Sequence, residues 1–91
     1  MLIVVSYDVP SDRRRAKLAH ALKDFGRRVQ LSVFECLLEE DQVPRMKARI
    51  ERLTKPEEDS VRIYRLCGSC APKVEVVGLG VLSEDPEVYI V

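Results

Sequence analysis

Leu2-Ile3-Val4-Val5-Ser6-Tyr7 runs straight into Asp8, and Val9-Pro10-Ser11 then turns the chain away. A short apolar run rich in β-branched residues and bounded by proline reads as a buried strand. Nothing in that strand requires an ionised group at its tip. The ends of strands are where α/β-type proteins often place ligands. Arg13, Arg14 and Arg15 follow within one turn. One acid beside a cluster of cations suggests a site for a metal ion and a phosphate. Asp also closes turns before proline by bonding its own backbone. On these residues alone both readings stand.

Outward from this strand, two segments show helical spacing. Over Asp12–Phe25, Leu18, Ala21, Leu22 and Phe25 form one apolar stripe. Ser11 or Asp12 is placed to cap its start, and Gly26 stands where a C-terminal cap belongs. In the second helix Asp41 is the expected cap and Pro44 falls in the first turn. Val43, Met46, Ile50 and Leu53 line one face, and Thr54-Lys55-Pro56 ends it. Glu57-Glu58-Asp59 reads as a solvated acidic loop.

Val29–Leu38 is expected as the second strand, Ser60–Leu66 as the third, Lys73–Val77 as the fourth, and Glu87–Val91 as a short tail strand. The pattern fits an α+β, ferredoxin-like βαββαβ fold with an extra C-terminal strand. Both helices then cover one face of an antiparallel sheet. Ninety-one residues make one domain, 1–91, with a core small enough that oligomerisation helps.

The face away from the helices should be polar. Ile3, Val5 and Tyr7 point one way in strand one, and Leu2, Val4 and Ser6 the other. Val29, Leu31, Val33 and Leu37 share one face of the second strand, and Phe34, Cys36 and Leu38 lie on the opposite one. Both sides carry large apolar groups, so a twofold homodimer with its sheets face to face is expected. Such an axis bears on the lone acid. Mg²⁺ keeps several waters and takes one or two carboxylates plus substrate phosphates. Two copies of Asp8 near the axis would supply that pair, and the ion would lower the pKa of a bound water. No P-loop, Ser-His-Asp set or HExxH motif competes. His20, the single histidine, lies mid-helix and is assigned no chemistry.

Net charge is zero, but residues 1–30 hold seven cations against three acids. A local basic face is enough to bind phosphates. Cations at a helix N-terminus oppose the macrodipole, so stability alone would not place Arg13, Arg14 and Arg15 there. With Lys17, Arg27 and Arg28 they are read as phosphate contacts. The alternative is that they are solvated, or paired with Asp12.

Three cysteines do not make a disulfide framework. Cys67-Gly68-Ser69-Cys70 has the CxxC spacing of zinc and redox motifs, yet a structural zinc needs four ligands. A plain turn is the simplest account. No segment is long enough to span a membrane. No basic stretch precedes an apolar signal core, so the chain is expected to be cytoplasmic. Asn is absent, Gln scarce, and Arg outnumbers Lys, a composition that fits life at high temperature.

Gly26-Arg27-Arg28-Val29-Gln30-Leu31-Ser32-Val33-Phe34-Glu35, at this distance from Tyr7-Asp8-Val9, resembles the Cas-two family of small CRISPR-associated proteins. The likeness runs over essentially the whole chain. It implies a ferredoxin-like homodimer whose tail, residues 87–91, packs on the partner subunit. It implies a Mg²⁺-dependent endonuclease acting on single-stranded RNA or double-stranded DNA in CRISPR spacer acquisition and antiviral defence. It also implies a scaffold role beside the CRISPR integrase. Asp8 matches the family's metal aspartate, and Tyr7 the tyrosine before it. Arg28 and Phe34 match the arginine and phenylalanine of the Gln-x-Ser segment, and Arg15 and Lys17 match its basic first helix in type. Tyr7 and Phe34 are expected to shape the dimer interface or to stack, and each also has a plain core reading. The rival to the nuclease is a non-catalytic dimer that holds DNA for the integrase. A small-molecule-binding regulatory dimer would call for a glycine-rich loop after strand one, and Val9-Pro10-Ser11 is not one.

Overall fold

A computed structural model describes residues 1–80 and Ser83. Its elements run β1 (Leu2–Asp8), α1 (Asp12–Leu22), β2 (Arg27–Gln30), β3 (Val33–Leu37), α2 (Gln42–Leu53) and β4 (Ser60–Leu66), followed by a 3-10 turn at Ala71–Lys73. The four strands form one sheet in the order β2-β3-β1-β4, antiparallel throughout. This is the βαββαβ pattern expected, filled by different strands.

The expected strand Val29–Leu38 is in fact a hairpin. β2 begins two residues earlier, at Arg27, and breaks at Leu31-Ser32; Gln30 pairs with Val33 across that turn, and the register slips between Arg28 and Gln30. Lys73–Val77 does not join the sheet. Its first residue closes the 3-10 turn, where Pro72 removes a ladder donor, and Val74–Val77 carries on without a ladder. The expected tail strand, Glu87–Val91, lies outside the described residues.

Strand alternation assigns the faces. Ile3, Val5 and Tyr7 of β1 face the helices together with Phe34 and Cys36 of β3, and all are buried. Leu18, Ala19 and Leu22 of α1 and Val43, Met46 and Ile50 of α2 close over them. Phe34 is the largest fully buried side chain, so its expected place on an open interface face is corrected. A strand residue points to one side only, and register with Val5 sends Phe34 inward.

Helix ends also differ in detail. Ser11 caps α1, its Oγ accepting the Arg14 N–H at 3.2 Å. Asp41 makes no side-chain cap bond at α2; instead Gln42 Oε1 accepts the Glu39 N–H at 2.7 Å. Gly26 is no left-handed cap. It is needed because β2 enters against β3: a Cβ there would sit 2.2 Å from the Glu35 carbonyl oxygen and 2.6 Å from Cys36 Sγ.

Candidate active site

Asp8 is the last residue of β1 and is exposed. It pairs with Ser60, the first residue of β4, so both backbones hold it at the sheet's rim. Even-numbered residues of β1 face away from the helices, and Asp8 therefore lies on the open face with Val4 and Ser6. Among the described residues its carboxylate has no hydrogen-bond or ion-pair partner.

Tyr7 points the other way, into the core, and fixes the hairpin tip. Its N–H donates to the Ser32 carbonyl at 3.0 Å and its hydroxyl to the Leu31 carbonyl at 3.2 Å. Its ring stacks on Phe34 with centroids 6.4 Å apart. Both aromatic residues thus take the plain core role and hold the β2–β3 turn beside the rim that carries Asp8.

The basic residues do not gather on one surface. Arg14 is committed within the chain: its Nε and Nη2 donate to the two carboxylate oxygens of Asp59 at 2.9 and 3.0 Å, and Nη2 also reaches Glu58 at 2.7 Å. The Asp59 side chain is fully enclosed, so the acidic loop is not simply solvated as expected. The Arg14 guanidinium, with the Lys55 backbone N–H, holds the Asp59 carboxyl below its usual range. Arg15 pairs with the exposed Asp12 and donates Nη1 to the Val9 carbonyl at 2.9 Å. The expected pairing with Asp12 therefore holds for Arg15 alone, while Arg14 takes Asp59 and Glu58, distant acids that the sequence did not point to.

Lys17 is exposed on the helix layer, where it lines a shallow groove with His20 and Arg49. Arg27 pairs with Glu35, which puts it on the open face with Asp8; its Nε donates to Ser83 Oγ at 2.6 Å, and Glu35 accepts the Ser83 N–H at 2.8 Å. Arg28, one residue on, turns to the helix side, its guanidinium 5.6 Å from the Phe34 ring centroid.

Sequence reasoning missed Arg62. It pairs with Ser6 and so lies on the open face, diagonal to Asp8 across the β1–β4 ladder. Such diagonal positions are roughly 7–8 Å apart. Tyr64 follows on the same face, exposed, with its hydroxyl 3.5 Å from Arg62. Phasing Ser60, Arg62, Tyr64 and Leu66 against strand one was the signal that would have revealed the pair.

No group of three or more His, Cys, Asp or Glu side chains converges on a metal position among the described residues. At this rim Asp8 offers an exposed carboxylate, a hard oxygen donor. Such a donor suits Mg²⁺, which takes few protein carboxylates and fills its shell with water and phosphate.

The family model described as CRISPR associated protein Cas2 matches residues 1–74. This chain belongs to the Cas2 family. It is 47% identical over 89 residues to the CRISPR-associated endonuclease Cas2 2 of Thermus thermophilus, covering 98% of this chain and 94% of that one. It is 43% identical over 93 residues to the CRISPR-associated endoribonuclease Cas2 1 of Chloroflexus aurantiacus, covering all of both. Streptococcus pyogenes Cas2, solved at pH 6.5, superposes with a TM-score of 0.75 at 32% identity, over 86% of this chain and all of that one. A Cas2-like chain in a partial Cas6-RT-Cas1–Cas2 complex superposes with a TM-score of 0.71 at 27% identity, over 84% of this chain and 89% of that one. Within the Cas2 fold, the hairpin and Tyr7 together set the rim on which Asp8 stands. No helix among the described residues is long and apolar enough to cross a membrane.

Proposed function

We propose that this Cas2 protein is a Mg²⁺-dependent endonuclease of CRISPR adaptation that works as a homodimer, with Asp8 as its metal ligand. The observation that carries the reading is the exposed Asp8 carboxylate, without a partner among the described residues, on the rim of the open sheet face, diagonal to Arg62. The relatives named endonuclease and endoribonuclease support the reaction class, RNA or DNA phosphodiester hydrolysis.

Two copies of Asp8, brought together across a twofold axis, would hold the ion. When bound, Mg²⁺ supplies a Lewis acid and an acidified water. The chain's own residues do the rest. The β1–β4 pairing fixes the Asp8 backbone, and the Arg62 guanidinium is placed to donate hydrogen bonds to a phosphate oxygen on the same face. Lys17 and Arg28, on the helix side, extend phosphate contact away from this face, whereas Arg15 and Arg27 are held by Asp12 and Glu35. The open face supports the dimer: Val4, Val33, Leu37 and Leu66 are only half buried there, and Tyr64 is exposed.

A specific observation favours a second reading. Among the described residues no three His, Cys, Asp or Glu side chains converge at the rim, and the structural relative seen with Cas1 belongs to an assembly. A dimer that only holds DNA for a Cas1 integrase needs no more than the cations.

The test is cleavage of single-stranded RNA and of duplex DNA by the full chain, with Mg²⁺, Mn²⁺, Zn²⁺ or a chelator. The nuclease reading expects cleavage with Mg²⁺ and Mn²⁺, weak cleavage with Zn²⁺, and none with chelator while the fold persists. No cleavage with any metal, alongside intact DNA and Cas1 binding, selects the scaffold.

A further inference from the structure

The three cysteines fall into two environments. Cys36 is buried under the helices, and burial pushes its thiol up to about 11. Cys67 and Cys70 are exposed, just past the end of β4. Between them the backbone makes one helical turn: the Cys67 carbonyl accepts the Cys70 N–H at 3.0 Å and the Ala71 N–H at 2.9 Å. A hydrogen-bonded turn of this kind brings its end Cα atoms within about 7 Å. Disulfides span about 4.4–6.8 Å between Cα atoms, so the turn is built at bridging distance. Cys67 Sγ lies 3.0 Å from Ser69 Oγ, inside the same turn.

We propose that Cys67 and Cys70 are a reversible thiol–disulfide couple, with Cys67 the attacking thiol and Cys70 the resolving one. The co-reactant is a low-molecular-weight disulfide such as oxidised glutathione. The Cys67 thiolate attacks one sulfur of that disulfide, forming a mixed disulfide and releasing one thiolate, which takes up a proton. Cys70 then loses its proton and attacks Cys67 Sγ, closing the Cys67–Cys70 bond and releasing the second thiolate. Two protein thiols are oxidised and one disulfide is reduced to two thiols. The hydrogen bonds from Ser69 and Cys70 bring the Cys67 thiol down to about 7, whereas the Cys70 thiol is raised by the neighbouring Cys67. An attacking thiol is most effective when its pKa is near the ambient pH. A zinc site would need more donors than two, and no third His, Cys, Asp or Glu converges there among the described residues. Oxidation would fix the turn through which β4 passes into Val74–Gly80.

The full chain, incubated in glutathione redox buffers, acid-quenched, then unfolded and alkylated, gives the thiol count by mass. Wild type should pass from all thiols free to Cys36 alone free, in one transition and with no glutathione retained. Cys70→Ser should stop at one glutathione adduct on Cys67. Cys67→Ser should react roughly fivefold more slowly, the larger thiolate fraction of Cys67 being partly offset by its lower intrinsic nucleophilicity. Glutathione persisting on both cysteines without ring closure, bridges between chains instead of within one, or stoichiometric zinc shielding both thiols would each overturn the proposal.

Discussion

Arg14 and Asp59 lock the start of α1 to the start of β4. The guanidinium meets both oxygens of one enclosed carboxylate, at 2.9 and 3.0 Å, across 45 residues of sequence. Asp59 directly precedes Ser60, the ladder partner of Asp8. The latch therefore fixes the loop that borders the candidate site, and it explains an arginine that the helix dipole disfavours.

Stability should follow the latch in pH. Asp59 is held below the usual carboxylate range first by the Arg14 side chain and then by the Lys55 N–H. A depressed carboxyl contributes stability in full above its unfolded pKa, about 3.9, and loses it as pH falls through the lower native value. The urea midpoint of wild type should fall over that acid window. Asp59→Asn should start lower at neutral pH and show a flatter acid slope. Matching slopes in the two proteins would remove Asp59 from the acid response.

Core and backbone substitutions separate packing from chemistry. Phe34→Ala should cost about 3–5 kcal/mol, since it empties the largest fully buried site. Tyr7→Phe should cost about 0.5–1.5 kcal/mol for the lost bond to Leu31. Gly26→Ala should cost about 1–3 kcal/mol by overpacking against Glu35 and Cys36. Chemical denaturation measures all three, and near-neutral Gly26→Ala would mean that β2 can shift away from β3.

Both helices, β1 and β4 were legible in the sequence because each carries its own period and boundary residues. The β2–β3 hairpin was not. Its turn, Leu31-Ser32, has no Gly, Pro, Asn or Asp, and is stabilised by bonds from distant Tyr7 that no local pattern shows. Lys73–Val77 misled for the opposite reason: alternating valines mark an extended chain, but a strand needs a partner edge. At the site, Asp8 stood out as an acid ending an apolar run. Arg62 did not, because its place beside Asp8 depends on the β1–β4 register. Arg14 looked like a phosphate ligand because sequence gives charge without giving the acids folded against it.

Phosphate binding should rest on the cations that are not locked. Each phosphate contact changes the slope of log affinity against log salt by about 0.9 on duplex DNA. Lys17→Gln with Arg28→Gln, and separately Arg62→Gln, should flatten that slope, while the fold stays intact by circular dichroism. Unchanged slopes would place the nucleic acid on another surface.

The dimer should depend on the open sheet face. Tyr64 is 47% exposed there, whereas Phe34 is inaccessible. Tyr64→Asp should give a folded monomer by light scattering with circular dichroism unchanged. A Tyr64→Asp protein that stays dimeric would move the interface elsewhere.

Asp8→Asn tests the central claim most directly. Asn keeps the shape of the side chain and removes the charge that binds the ion. With Mg²⁺ and single-stranded RNA or duplex DNA as substrate, the variant should lose cleavage while its mass in solution and its affinity for DNA match wild type. Cleavage by Asp8→Asn at the wild-type rate would contradict the assignment of Asp8 as the metal ligand of the reaction.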